Sequence, residues 1–383
     1  MRISKKVLAL GISALLLSVS FPTSINALDK IENIQGVDKY ETAGLISDKQ
    51  DFTTAVLINA DSTMVDGIAA SGLAGVNNAA ILLTNKDDIP EATLQRLNRV
   101  TKIYVIGGEN SISKDVEKML LMRRMQVIRI DGVDRVDTSY KIAGEIEKIK
   151  NSDKMFLVNG FKDEADAVSV ASVAYRDGAP IILTKDIPSA EEDTDLDPWF
   201  GVSPVPVYAI GGESTLSDYI VSRYRATRIG GVDRYQTNKN VIEKFYNGAK
   251  EFYITSGDDL VYALVASPMA KNNPIVLVDI GSNKDILKNA AKVTGIGNLS
   301  DKIMLECENT INNISLPSSN KNIICGLKID FDSNHIIWQD KGSYLECYDD
   351  NLEYYTEKYK DPTVPINIEN TSTQNLDVTK LKV

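Results

Sequence analysis

GVDRVDTSYKIA, residues 132–143, has two echoes in the same chain: GVDKYETAGLI from residue 36 and GVDRYQTNKNVI from residue 231. The starts lie 96 and 99 residues apart. That period suits a small domain and is too long for a solenoid unit of about 20–50 residues. The sequence between the first two copies repeats as well, in constant order. VLINADSTMVDGIAASGLA from residue 56 faces FLVNGFKDEADAVSVASVA from 156, and AAILLT from 79 faces APIILT from 179. KIYVIGGENSIS from 102 faces PVYAIGGESTLS from 206, and VIRIDGVDR from 127 faces ATRIGGVDR from 226. Several motifs in one order indicate duplicated domains, and chance similarity does not produce them.

Within each copy the hydrophobic pattern alternates. TAVLIN, AAILLT, KIYVIGG and QVIRI are short runs rich in Val, Ile and Leu, as expected of strands buried on both faces. Between them, DGIAASGLAGV, PEATLQRLNRV and SKDVEKMLLMR place apolar residues three and four apart, the helical period. Pro90 falls at a helix start, and Ser113 and Ser217 stand where N-caps belong. Strand–helix alternation predicts a parallel sheet of about four strands per module, with helices on both faces and right-handed crossovers. The fold class is therefore α/β, in three tandem modules.

The third copy is worn. GVDRYQTNKNVI, KEFYITSGDDLVYALVASPMA and NPIVLVD keep its opening half, but the match fades after Asp279. NKNIICGLKID, residues 320–330, reads as the remnant of its VIGG strand, with no GGExS after it. From residue 331 the chain is rich in Asp, Glu, Asn and Tyr and contains Pro362 and Pro365. That composition predicts an irregular tail with a few edge strands and an unstructured end. The expected division is residues 28–131, 132–230 and 231–330 for the modules and 331–383 for the tail.

The first 27 residues are set aside. Arg2, Lys5 and Lys6 precede a 15-residue apolar run, and the stretch ends on the small residue Ala27. The run is shorter than the roughly 20 residues a spanning helix needs. This order predicts a secretory signal cleaved near Ala27, with no membrane segment afterwards. Its removal takes the formal net charge from −11 to −14. A chain this acidic is poorly suited to nucleic acid, whose phosphates are neutralised by Lys and Arg. Cys307, Cys325 and Cys347 are an odd number confined to the last quarter, so they form no disulfide framework, although one bridge of unknown pairing is open.

Candidate sites each have a structural reading beside the functional one. Gly107-Gly108 and Gly211-Gly212 follow a strand and precede a helix, as a phosphate cradle would. Neither copy has the full G-x-G-x-x-G fingerprint, so a tight turn is the better reading and no cofactor is expected. Asp38, Asp134 and Asp233 are placed to cap the helix that follows. Arg135 and Arg234 can reach a carboxylate of the neighbouring module, while Lys39 keeps the charge without the bidentate fork. Asp66 and Asp166 match one another at a helix start, and Tyr262 takes their place in the third copy. Asn59, Asn159 and Ser256, with Thr84 and Thr184, fall at carboxyl ends of parallel strands, where ligands of open α/β sheets bind. His335 is the single histidine, CxxC spacing is absent, and neither H-E-x-x-H nor G-x-S-x-G occurs. No catalytic residue and no metal site follow from these residues.

These motifs together, G-V-D-[RK], D-[AG]-[IVL]-A, I-[IL]-L-T and V-Y-x-I-G-G-E-x-x-[IL]-S, resemble the cell wall binding repeat 2 family of clostridial cell wall and surface-layer proteins. The resemblance covers roughly residues 33–330. It implies three Rossmann-like modules about a pseudo-threefold axis, attached non-covalently to an anionic, teichoic-acid-like wall polymer at the cell surface. It also implies polymer contacts at Lys39, Arg135 and Arg234, and at the ILLT segments Ile81, Leu82, Leu83, Thr84 and Ile181, Ile182, Leu183, Thr184. The third module has Val278 in place of that Thr, which weakens its claim to a site. Other surface-layer proteins are further expected partners. Two rival readings stand beside anchoring. One is an enzyme acting on sugar or peptidoglycan through Asn59, Asp66 and Thr84, and the other an adhesive component acting through the tail.

Overall fold

The computed structural model describes residues 31–187, 189 and 205–313, together with five strands between residues 323 and 370. The expected signal, Cys325 and His335 lie outside the described residues, as do the side chain of Cys347 and the end of the tail. Cys307 is a buried free thiol.

Strand β1 (Glu32–Ile34) and helix α1 (Lys39–Ser47) flank the first GVD. The first module continues with β2 (Thr54–Ile58), α2 (Ala60–Ala69), α3 (Ser71–Val76), β3 (Ala80–Leu83), α4 (Glu91–Leu97), β4 (Lys102–Ile106), α5 (Lys114–Met122) and β5 (Gln126–Ile130). The second contains α6 (Arg135–Glu147), β6 (Met155–Asn159), α7 (Glu164–Ser169), α8 (Ala171–Asp177), β7 (Ile181–Thr184), β8 (Val207–Ile210), α9 (Asp218–Arg223) and β9 (Thr227–Ile229). The third contains α10 (Arg234–Phe245), β10 (Glu251–Ser256), α11 (Val261–Ala266), β11 (Ile275–Val278), β12 (Lys292–Ile296) and α12 (Asp301–Ile311).

Three parallel four-stranded sheets result, ordered β3-β2-β4-β5, β7-β6-β8-β9 and β11-β10-β12-β1. Strand β1 is therefore the outer strand of the third sheet, with Glu32, Asn33 and Ile34 opposite Thr294, Gly295 and Ile296. Each GVD follows the outer strand of the preceding module. The strand before the first GVD joins the sheet of the last module and so closes the ring. Residues 32–34 thus fall within the first module's span by sequence but complete the third module's sheet.

The third module is also less worn than its sequence suggests. Its counterpart of the VIGG strand is KVTGI, β12, and not the segment 320–330. That segment supplies β13 (Ile323–Ile324) and β14 (Leu327–Asp330) of a separate unit that begins at residue 314. There β14 pairs antiparallel with β13 and with β17 (Asn367–Asn370), while β15 (Ile336–Asp340) pairs antiparallel with β16 (Leu345–Asp349).

The strand period of two divides the core. Val56, Ile58, Ile81, Leu83, Tyr104 and Ile106 enter a core shared by all three modules. Ala55, Leu57, Ala80, Leu82, Ile103 and Val105 face a layer private to the first module, beneath α4 and α5. The second sheet divides likewise, with Phe156, Val158 and Leu183 inward and Met155, Leu157 and Ile182 outward. At the centre α2, α7 and α11 touch one another, and the helix that opens each module packs on its neighbour: α6 on α2, α10 on α7, α1 on α11. This cyclic set is the pseudo-threefold arrangement. Where α3 meets α8 the backbones nearly touch. A Cβ on Gly72 or Gly75 would stand 2.1 or 1.9 Å from the carbonyl oxygens of Ala179 and Tyr175, so neither position admits a side chain without movement.

Candidate functional site

The GVD motif builds the seam between modules. Asp38, Asp134 and Asp233 cap α1, α6 and α10, accepting from the N–H of Glu41, Asp137 and Gln236 at 2.8, 2.9 and 2.7 Å. The N–H of Gly36, Gly132 and Gly231 donates to Thr42, Thr138 and Thr237 Oγ1 at 2.9, 2.9 and 3.0 Å. Gly, Asp and Thr thus hold one turn in three copies. Ser217 caps α9 as expected, accepting from Ile220 N–H at 3.3 Å. Ser113 occupies the matching place without a side-chain cap bond.

The glycine pairs are turns. Gly107, Gly211 and Gly297 have φ of 96°, 127° and 80°, a region open to glycine. Their N–H groups donate to Ile130, Ile229 and Ile34 carbonyls at 2.9 Å each. A Cβ on Gly211 would lie 2.7 Å from Asp166 Oδ2, and one on Gly297 2.3 Å from Tyr262 Cδ2. The inner helices press against these turns.

The strand-end candidates are engaged within the fold. Asn59 Nδ2 donates to Ser111 O at 2.8 Å, and Asn159 Nδ2 to Thr215 O at 2.7 Å. Thr84 Oγ1 donates to Asp88 O and Thr184 Oγ1 to Lys185 O, both at 3.0 Å. Ile81, Leu82, Leu83, Ile181, Ile182 and Leu183 are buried strand residues, and Thr84 and Thr184 are buried at the strand ends. A continuous apolar run in a central parallel strand is covered on both faces, so these ILLT side chains offer a polymer no surface.

The charged residues come together at the seams. Arg135 Nη1 donates to Gly160 O, and its guanidinium lies 4.9 Å from the centre of the Phe161 ring. Arg234 Nη1 donates to Gly257 O at 2.7 Å and stands 3.5 Å from Asp163 of the second module and 3.7 Å from Asp258. The expected reach across the seam is thus present for Arg234. Lys39 pairs with Asp61 and lies 5.3 Å from the Tyr40 ring centre.

Beneath these cations sit the matched acids. Burial pushes Asp66 up to about 6, with Arg135 pulling it down and Asp134 pushing it up. Asp166 is also pushed to about 6, by burial and then Asp163, against hydrogen bonds from Thr237 and Thr215 and the charge of Arg234. The third seam differs: Tyr262 fills the matching place, and burial raises the nearby Asp259, with Lys39 opposing. Two seams are chemically alike and one is not.

Sequence reasoning missed the valine of each GVD. Val37, Val133 and Val232 are 96%, 95% and 93% exposed. Val133 and Val232 are pinned by their N–H groups, which donate to Asp137 Oδ2 at 2.9 Å and Gln236 Oε1 at 3.0 Å. The available signal was an apolar residue between a turn glycine and a capping acid, where packing has no use for it. Each seam therefore presents a cation, a capping carboxylate and a bare valine in one loop.

Known proteins resemble this chain over much of its length. N-acetylmuramoyl-L-alanine amidase LytC of Bacillus subtilis (strain 168) is 27% identical over 340 residues, 88% of this chain and 66% of that protein. Cwp6 from Clostridium difficile superposes with a TM-score of 0.65 at 31% identity, over 73% of this chain and 48% of that one. Cwp8 from the same organism gives 0.64 at 30% identity, over 75% of this chain and 52% of that one. The chain thus spans about two thirds of the amidase and about half of the two solved proteins. Residues 33–117, 129–221 and 228–304 each match cell wall binding domain 2 (CWB2), one match to each module. With most of its length in three such matches, the chain belongs to the cell wall binding domain 2 family.

Proposed function

We propose that this protein is exported through its N-terminal segment and held at the cell surface by non-covalent binding of its three modules to an anionic, teichoic-acid-like wall polymer. The repeated seam carries the reading: Arg135 and Arg234 stand in equivalent loops, with Lys39 as the weaker third. A guanidinium has five N–H donors, and the internal bonds described use only some of them, leaving others for a phosphate or carboxylate. Three weak sites on one rigid ring bind a repeating polymer far more tightly than any one site alone. In this reading the modules have an anchoring role and no catalytic one, since Asn59, Asn159, Thr84 and Thr184 are occupied in bracing the fold.

The test is co-sedimentation of residues 28–383 with purified clostridial wall and with the same wall stripped chemically of anionic polymers. Pelleting with intact wall only supports the proposal. Equal pelleting with both would redirect it to peptidoglycan, and no pelleting would overturn it.

A further inference from the structure

The third seam contains a cleft of about 590 Å³ at the amino ends of β12 and β1, the opposite end of the sheet from Lys39. Its origin is legible residue by residue. Register places Val56 opposite Tyr104, Phe156 opposite Tyr208 and Tyr253 opposite Thr294. Fourteen residues after each motif glycine stand Ile146, Phe245 and Gln50. In the second sheet Phe156, Tyr208 and Phe245 close into an aromatic cluster, with centroid separations of 5.2 to 6.2 Å. In the first, Tyr104 and Ile146 are fully buried. At the third seam the same places hold Tyr253, Thr294 and Gln50, and all three line the cleft. A large ring and an apolar side chain have been exchanged for a small hydroxyl and an amide.

The exchange leaves chemistry unused. Gln50 Nε2 is buried with no hydrogen-bond partner, an unfavourable state that a ligand or water would relieve. Lys49, Lys271 and Lys292 line the cleft and form no ion pair among the described residues, against the two carboxylates Glu32 and Asp51. The local charge is therefore positive in a chain of net charge −11. Amide and ammonium donors, a hydroxyl and one half-buried aromatic ring are the groups that hold a hydroxylated, negatively charged ring. The volume is within the range of about 300–1,000 Å³ typical of small-ligand sites.

We infer that this cleft binds an anionic saccharide, a sugar unit bearing a phosphate or carboxylate. The inference deepens the wall-polymer reading and rests on it only for the source of the sugar, one repeat of that polymer. At the first two seams the places of Gln50, Tyr253 and Thr294 are filled by Ile146, Val56 and Tyr104 and by Phe245, Phe156 and Tyr208, so the third, despite its altered loop, has a contact of its own.

The experiment follows the Gln50 side-chain amide by NMR in residues 28–383 during titration with glucose 6-phosphate and glucuronic acid. Glucose and inorganic phosphate serve as controls. Saturable shifts with both anionic sugars, at least about tenfold tighter than with either control, are expected. Lys292→Ala should weaken binding severalfold. Thr294→Tyr should remove it, because the second sheet already accommodates an aromatic pair at these positions. If Thr294→Tyr does not fold, binding by Gln50→Ile, which installs the residue found at Ile146, decides the point, read by the Tyr253 ring signals. Absence of saturable shifts, or binding unaffected by the filling variant, overturns the inference. Wall pelleting measured in parallel separates the two ideas. Pelleting with a cleft blind to sugars sinks the cleft alone, whereas sugar binding without pelleting supports the cleft and sinks the wall reading.

Discussion

The backbone N–H of Gly297 donates to the carbonyl of Ile34 at 2.9 Å, joining residues 263 positions apart in the chain. The same bond runs from Gly107 to Ile130 and from Gly211 to Ile229 across only 23 and 18 positions. Asn33 Nδ2 adds a bond to Gly297 O at 3.0 Å, where Arg129 and Arg228 serve Gly107 and Gly211 at 2.6 and 3.1 Å. One local bond, made long-range in its third copy, turns three tandem modules into a closed ring.

That closure is testable by truncating or loosening β1. Ile31 is buried just before the strand, and Ile31→Ala should cost about 2–5 kcal/mol, the usual range for a buried isoleucine. Hydrogen exchange should show the loss first in β12, whose edge β1 covers, with β2 and β6 protected as before. Equal loss of protection in all three sheets would mean that the ring unfolds only as a whole.

The buried acids predict a pH effect of definite sign. Asp66 and Asp166 ionise near 6 in the folded chain and near 3.8 when unfolded, so the folded state holds their protons more tightly. Their contribution to stability is greatest below the unfolded value and is lost as pH rises through about 6. Other carboxylates act oppositely: Asp177 and Asp186, held below their ordinary value with Arg176 and Lys154 and with Lys162 as partners, lose stability as pH falls. The clean measurement is therefore a difference. Asp66→Asn should become more stable relative to wild type by about 1–3 kcal/mol between pH 4.5 and 7.5 in denaturant titrations. A constant difference would show that Asp66 does not titrate in this window.

The first glycine of the second module's turn and the second glycine of the first module's turn should respond unequally. Gly211 combines φ of 127° with a Cβ position 2.7 Å from Asp166 Oδ2, so Gly211→Ala should cost about 1–3 kcal/mol. At Gly108 the nearest atom would be 3.9 Å away, and Gly108→Ala should remain within about 0.5 kcal/mol of wild type. Equal melting temperatures for the two variants would contradict the packing described.

Wall attachment should fail in steps. Arg135→Ala should weaken pelleting by about tenfold, and the Arg135→Ala/Arg234→Ala pair by much more than either alone, as avidity requires. Lys39→Ala should matter least, since its ammonium is paired with Asp61. Replacing Val37, Val133 and Val232 by Ser should leave the melting temperature unchanged, because all three are exposed. Any fall in pelleting by that triple variant then reports surface contact and not folding.

How much of this was legible beforehand varies with the range of the interaction. The cap aspartates, the turn glycines and the strand–helix order are set within a few residues, so the repeated motif disclosed them. The burial of Ile81 to Leu83 was legible too, since an apolar run at strand length means a central strand. Their assignment to polymer contact came from the motif's recurrence, which a shared core explains equally well. Residues 320–330 misled because IIC and LKI have strand composition, and composition does not name the partner strand. KVTGI was passed over because Thr294 and Gly295 replace the larger residues of its counterparts.

The sequence by itself therefore determined three α/β modules, their helix caps and their turns, because these depend on neighbours along the chain and on patterns of period two and 3.6. Tertiary structure alone decided which strand completes the third sheet, that Arg234 meets Asp163, and that Gln50, Tyr253 and Thr294 share a cleft. Those relationships join residues distant in the chain, and they exist only once the closed ring has fixed which surfaces meet.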